Sequence, residues 1–183
     1  MNDPLIVAAA SAAQNFHLRR FGAEDMLRYD SLVADLQHIF SGDQTLKFVP
    51  RRRLDSREKA ETYLQMTILK CTSKSDLVFF LTDKSTGQVV GVVEIVSPET
   101  AKLHYHLSEY PHFIEFYLSE HLQARGLMSG LLPGIVVYLK KNGISRIAAV
   151  ADRQNHKACQ VLTKTFFKNH GLFDLKQDFY LYE

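Results

Sequence analysis

Hydrophobic positions change their spacing several times along the chain, and each change predicts an element. Over Asn15–Phe21, Phe16 and Leu18 alternate with polar neighbours, which predicts a short strand. From Ala23 to Phe40, Met26, Leu27, Leu32, Val33, Leu36, Ile39 and Phe40 recur at helical spacing, and Ser41-Gly42-Asp43 breaks the run. Arg57–Cys71 predicts a second helix, with Asp55 or Ser56 as its N-cap and Ala60, Tyr63, Leu64 and Ile68 as a buried stripe. Leu77–Leu81 is nearly continuous in apolar residues, as a strand covered on both faces would be. Turn chemistry at Lys84–Gln88 leads into the β-branched run Val89–Val96, and the pair reads as a hairpin.

Further along, Leu103–Leu107 and Phe113–Leu118 predict one or two more strands, parted by Tyr110-Pro111. Leu127–Lys141 reads as a helix stopped by Asn142-Gly143. Pro133 inside it removes a backbone donor and predicts a kink or restart. Ile144–Ala151 reads as a strand, His156–Phe167 as a helix and Phe173–Tyr182 as a closing strand. This order implies an α/β (α+β) domain, a mixed sheet flanked by helices. With no repeat or low-complexity linker, residues 14–183 are expected to form one domain, preceded by a poorly ordered arm over 1–13.

Composition narrows the function classes. The 46% hydrophobic and 23% charged residues fit a globular protein and argue against disorder. A net charge of +2, from 22 basic and 20 acidic residues, argues against a general nucleic-acid binder and leaves only the local basic patch Lys47–Arg53. Cys71 and Cys159 could form at most one bridge, which excludes a disulfide-built scaffold. No apolar run approaches the roughly 20 residues that span a bilayer. Leu5–Ala10 is short, follows Asp3 and has no preceding Lys or Arg, so it does not read as a signal peptide. The expectation is a cytoplasmic protein without a membrane partner. His104 and His106 share one strand face and His112 follows, but no cysteine or second spaced pair joins them, so no metal is expected.

Candidate chemistry concentrates in Phe113-Ile114-Glu115-Phe116-Tyr117-Leu118, followed by Gln123-Ala124-Arg125-Gly126-Leu127-Met128-Ser129-Gly130. This is a strand, a turn that needs a glycine, and a helix N-terminus. Such an end presents unpaired N–H groups and partial positive charge, which suit a phosphate or pyrophosphate. Gly126 allows close backbone approach, and Arg125 adds charge. An ordinary strand-to-helix turn with a solvated Arg is the competing reading.

Gln123-Ala124-Arg125-Gly126-Leu127-Met128 resembles the acetyl-CoA loop of the GNAT N-acetyltransferase superfamily, with Met128 departing at the last position. The Arg-Gly-Leu-Met run and Glu115–Leu118 resemble the branch that acetylates ribosomal-protein N-termini. Asp152–Ala158 and Lys164–Phe167 resemble that branch's later segments, except that Ala158 stands for a serine and Phe166 for a glycine. The resemblance covers roughly Phe16 to the C-terminus. It implies a GNAT-like, mostly antiparallel mixed sheet and transfer of acetyl from acetyl-CoA to a primary amine, on a protein N-terminus or a small molecule. Gln123, Ala124, Arg125, Gly126, Leu127, Met128 and Ser129 would hold the pyrophosphate, while Phe116, Tyr117, Leu118 and Asn155 would meet the pantetheine arm.

For the chemistry, Glu115 leads as the group that takes the amine proton, unless its strand face is only surface. Cys159, Tyr180, Tyr182 or water could protonate the departing thiolate; Tyr180 is carried with Glu115 as catalytic. Ala158 favours a rival reading, a non-catalytic acyl-CoA-binding or sensor module. An interaction domain using the basic patch is a third. Association into a homodimer stays open.

Overall fold

The computed structural model describes residues 13–73 and 75–182. The arm expected over 1–13 lies outside the described residues except for Ala13, which is buried in the core.

Strand β3 (Val89–Val96) is buried along all 8 of its residues, so it must lie inside a sheet covered on both faces. Its neighbours are β2 (Leu77–Asp83), from the predicted hairpin, and β4 (His112–Leu118); β1 (Phe16–Arg20) flanks β2. Beyond β4 come β5 (Ile147–Asp152), β7 (Gln177–Tyr182) and β6 (Phe167–Leu172), giving a 7-stranded sheet in the order β1-β2-β3-β4-β5-β7-β6. Every neighbouring pair is antiparallel except β4 and β5. This is the mixed, mostly antiparallel sheet expected from the sequence.

Helices cover both faces. On one side, α1 (Tyr29–Ile39) and α3 (Arg57–Ser73) bury Leu32, Leu36, Ile39, Ala60 and Leu64 against Val78, Phe80 and Val92. On the other, α5 (Leu127–Lys141) buries Leu131, Leu132, Ile135, Val136 and Leu139 against Phe79, Val93, Ile95 and Ile114. Alternation along β3 and β4 sends neighbouring side chains to opposite cores. α5 runs unbroken through Pro133 rather than restarting. It stops where expected, with Gly143 at φ 84° and the Ile144 N–H donating to the Leu139 carbonyl.

Four segments depart from the sequence reading. Ala23–Phe40 divides into a 3-10 turn (Ala23–Arg28) and α1, because buried Asp25 accepts from the Arg19 guanidinium and the Gly22 N–H. Leu27 is thereby turned to solvent. Leu103–Leu107 is not a strand: Ser97 caps a short helix, α4 (Pro98–Ala101), and the following turn carries Tyr105 onto Phe113. Helix α6 (His156–Lys164) ends before Phe167, which opens β6 instead. That strand is exposed after its first residue, so no alternating pattern announced it; as an edge strand it needs only backbone pairing to β7.

β4 and β5 pair only at His112–Ile147 and Phe113–Ala148. From Ile114 onward the two strands part company, leaving a gap in the sheet between β4 and the start of α6.

Candidate active site

The gap opens into a cavity of about 510 Å³, within the range of about 300–1,000 Å³ common for small-molecule sites. Its walls are the end of β4 (Phe116, Tyr117, Leu118), the turn and first residues of α5, and the first turns of α6. The turn before α5 is shaped by two left-handed residues, Ala124 at φ 59° and Gly126 at φ 75°. A Cβ built on Gly126 would meet nothing within 4 Å, so glycine is required there by backbone conformation and not by crowding.

Gly126 cannot cap α5, and no acidic residue lies in the helix's first turn. The early N–H groups of α5 therefore lack a side-chain acceptor, and they border the cavity with a partial positive charge. Lys157 and Lys164 on α6 add charge to the same cavity. These groups suit a pyrophosphate. The exposed backbone edge of β4 beyond Phe113 suits the amides of an extended arm such as pantetheine.

Of the residues expected to contact the cofactor, Phe116, Tyr117, Leu118, Gln123, Ala124, Gly126, Leu127, Met128, Ser129 and Asn155 all line the cavity. Arg125 does not: it is exposed, between two lining residues. Asn155 has two duties, since its Oδ1 caps α6 by accepting from the Ala158 N–H at 3.2 Å while the residue borders the cavity.

No pattern along the chain pointed to the fourth wall. Thr45 of a one-turn helix, α2 (Asp43–Leu46), donates to the Leu118 carbonyl at 2.8 Å and accepts from Gln123 Nε2 at 2.8 Å. The Gln44 N–H donates to Glu120 at 2.6 Å. Lys47 lies over the Phe48 ring at 5.3 Å, and both residues line the cavity. A four-residue helix far away in sequence has no periodic signal to read.

The basic patch is dispersed by the fold. Arg53 donates to Asp43 at 2.7 Å, whereas Arg52 turns inward to Glu94 and Glu115. Glu115 lies on the α1/α3 face of β4, opposite the face of Phe116 and Leu118. It accepts from Arg52 at 2.5 Å and from the Tyr117 hydroxyl at 2.7 Å. Two side chains hold its carboxylate, but Glu115 does not line the cavity. Burial, with Glu115 and Glu94 nearby, pushes the Tyr117 phenol well above its ordinary value. Burial pulls the Arg52 guanidinium down, but Glu94, Tyr117 and Glu115 more than reverse this, so it stays a cation.

Tyr180 points to the α5/α6 side, where it is buried beneath α6 and not in the cavity. Burial and the adjacent Cys159 push its phenol up to about 12. Cys159 donates to the Asp152 carbonyl at 3.6 Å. Tyr182 packs on the same core, with Lys140 4.4 Å from its ring. Among the described residues, no three His, Cys, Asp or Glu side chains come together as a metal site. Nor is any helix long and apolar enough to cross a membrane.

A mixed sheet that parts between β4 and β5, with a glycine turn and a bare helix N-terminus beside the gap, is the architecture of the GNAT fold. The sequence matches the model of the acetyltransferase (GNAT) domain over residues 16–168, and the chain belongs to that family. Similar solved structures include the ribosomal-protein-S5-alanine acetyltransferase of Vibrio fischeri, with TM-score 0.63 and 15% identity over 92% of this chain and 91% of that one. The ribosomal L7/L12 α-N-protein acetyltransferase RimL in complex with coenzyme A gives 0.70 and 16% over 93% and 94%. The microcin C7 self-immunity acetyltransferase MccE in complex with acetyl-CoA and AMP gives 0.71 and 12% over 97% of each chain. No curated protein matches the chain by sequence.

Proposed function

We propose that the protein is an acetyl-CoA-dependent N-acetyltransferase that acetylates a primary amine, either a protein N-terminus or a small-molecule amine, by direct attack. The observation that carries this is the cavity at the β4/β5 gap, with an uncapped helix N-terminus free of acidic residues on one side and an unpaired strand edge on the other. One similar structure is named as a ribosomal L7/L12 α-N-protein acetyltransferase and another as a ribosomal-protein-S5-alanine acetyltransferase, which supports a protein N-terminus as one acceptor class.

In this reading acetyl-CoA supplies an activated thioester. Gly126–Ser129 hold its pyrophosphate and β4 aligns its arm, while the amine enters from the face that carries Glu115. An α-amino group, with a pKa near 8, gives up its proton more readily than lysine at about 10.4, so one carboxylate acting directly or through water is enough. Tyr180 lies outside the cavity lining, and in this reading the departing thiolate takes its proton from solvent.

The test is thermal unfolding with and without acetyl-CoA, followed by thiol release with a panel of acceptors: peptides with free N-terminal serine or alanine, free amino acids and a polyamine. Acetyl-CoA at 100 times its Kd should add about 2.7 kcal/mol, raising Tm by roughly 5–10 °C. Stabilisation with turnover on one amine class is expected, and Glu115→Gln should lower kcat by tenfold or more. Stabilisation without turnover would favour the acyl-CoA-binding module that Ala158 suggests. No stabilisation would remove the cofactor from the cavity.

A further inference from the structure

Glu94 and Glu115 stand directly opposite each other on antiparallel β3 and β4, on the same face. Two carboxylates so placed repel, and Glu94 is 2% exposed, so water does little to screen it. The cation between them comes from a distant part of the chain. Arg52 ends a 3-10 turn (Pro50–Arg52) that begins with proline and is followed by buried Leu54, whose N–H donates to the Phe40 carbonyl.

The two carboxylates are held differently. Glu94 is fully engaged: Arg52 Nη1 lies 3.3 and 3.4 Å from its two oxygens, the Tyr63 hydroxyl donates to Oε1 at 2.5 Å, and Lys70 Nζ lies 3.8 Å from Oε2. Glu115 is engaged through one oxygen only. Its Oε2 accepts from Arg52 and from the Tyr117 hydroxyl, and Oε1 has no partner among the described residues. The Glu115 side chain keeps 24% of its surface exposed.

Charge points the same way. Lys70 also pairs with buried Asp76 at 3.4 Å, so three carboxylates (Asp76, Glu94, Glu115) share two cations, Arg52 and Lys70. Of the three, Glu115 is the one that solvent can reach, so a cationic amine can meet the surplus negative charge of the group there.

We propose that Arg52, clamped by Glu94, is a positioning residue for acetyl transfer: it occupies one oxygen of Glu115 and leaves the other free to meet the incoming amine. The proposal rests on the reading of Glu115 as the group that meets the amine. Arg52 is then no part of a nucleic-acid patch. Its planar fork spans two carboxylates at once and lies 5.4 Å from the Tyr117 ring, a geometry that lysine cannot reproduce.

The test compares wild type with Arg52→Gln, Arg52→Lys, Glu94→Gln and Glu115→Gln, using the panel amine that gives the highest turnover. Arg52→Gln should lower kcat tenfold or more while the KM for acetyl-CoA and the acetyl-CoA-induced rise in Tm stay within twofold of wild type. Arg52→Lys, which restores the charge without the fork, should recover part of that loss. Glu94→Gln, which loosens the clamp but keeps Arg52, should lower kcat severalfold with the same unchanged KM. A purely structural role would lower Tm and leave kcat at saturation untouched, and that result overturns the proposal. Should Arg52→Gln fail to fold, an unchanged kcat in Glu94→Gln overturns it as well. Failure of the underlying reading looks different: Glu115→Gln would then keep wild-type kcat, whatever the Arg52 variants do.

Discussion

Single residues in this protein are best understood by asking what their backbone or their charge requires. Gly126 occupies a left-handed conformation with open space around the site of its missing Cβ. Substitution there is costly through φ alone, by about 1–2 kcal/mol for an L-residue. Gly126→Val should therefore raise the KM for acetyl-CoA on the order of tenfold by moving the N–H groups of α5, and steady-state kinetics with varied acetyl-CoA checks this. An unchanged KM would detach the turn from cofactor binding. Phe166 is the opposite case. It stands at φ 68° with 68% of its surface exposed, just where the resemblance to the acetyltransferases has a glycine. The strain of a bulky left-handed residue outweighs the little surface it buries, so Phe166→Gly should stabilise the protein by about 1 kcal/mol, or roughly 2–4 °C in Tm. Calorimetry of the two proteins decides it.

At the scale of elements, the strands with strong patterns are those with both faces covered. The β2–β3 hairpin and β4 could be read from the chain because strands covered on both faces are nearly continuous in apolar residues, and α5 because burial of one face imposes a helical period. β6 and α2 could not. The former lies exposed at the edge of the sheet, and the latter is a single turn tied in place by Thr45 and Gln123. Leu103–Leu107 misled for a related reason: its aromatic and apolar residues pack onto Phe113 from a turn, and packing alone does not reveal whether a segment is extended. The turn before α5 was legible as a cofactor-loop candidate because its chemistry is local, a turn followed at once by a helix start. The Glu94–Arg52–Glu115 arrangement was not, because its members are separated by 42 and 63 positions along the chain.

Across the whole molecule, buried phenols link the two cores to pH. Burial raises the phenols of Tyr63 and Tyr117 well above their ordinary value, and those of Tyr105 and Tyr180 to about 12. A group raised in the folded state contributes stability in full below its unfolded value, near 10, and loses it as pH rises through the folded one. The denaturant midpoint should therefore hold steady up to about pH 10 and fall between pH 10 and 12. Tyr180→Phe should make that fall shallower; an identical slope would mean that Tyr180 ionises in the native protein as freely as in the unfolded chain.

The class of fold, and the turn before α5 as a candidate for the cofactor, can be read along the chain because both rest on local patterns: burial sets where apolar residues fall in strands and helices, and a glycine turn before a helix creates an end that suits an anion. The Glu94–Arg52–Glu115 cluster, which we assign to the acceptor side, emerges only on folding. Strand register put Glu94 opposite Glu115, and the turn after α2 brought Arg52 between them, out of what reads along the chain as a solvated basic patch. Like charges brought together by a sheet need a counter-charge from elsewhere, and no local pattern records where that charge comes from.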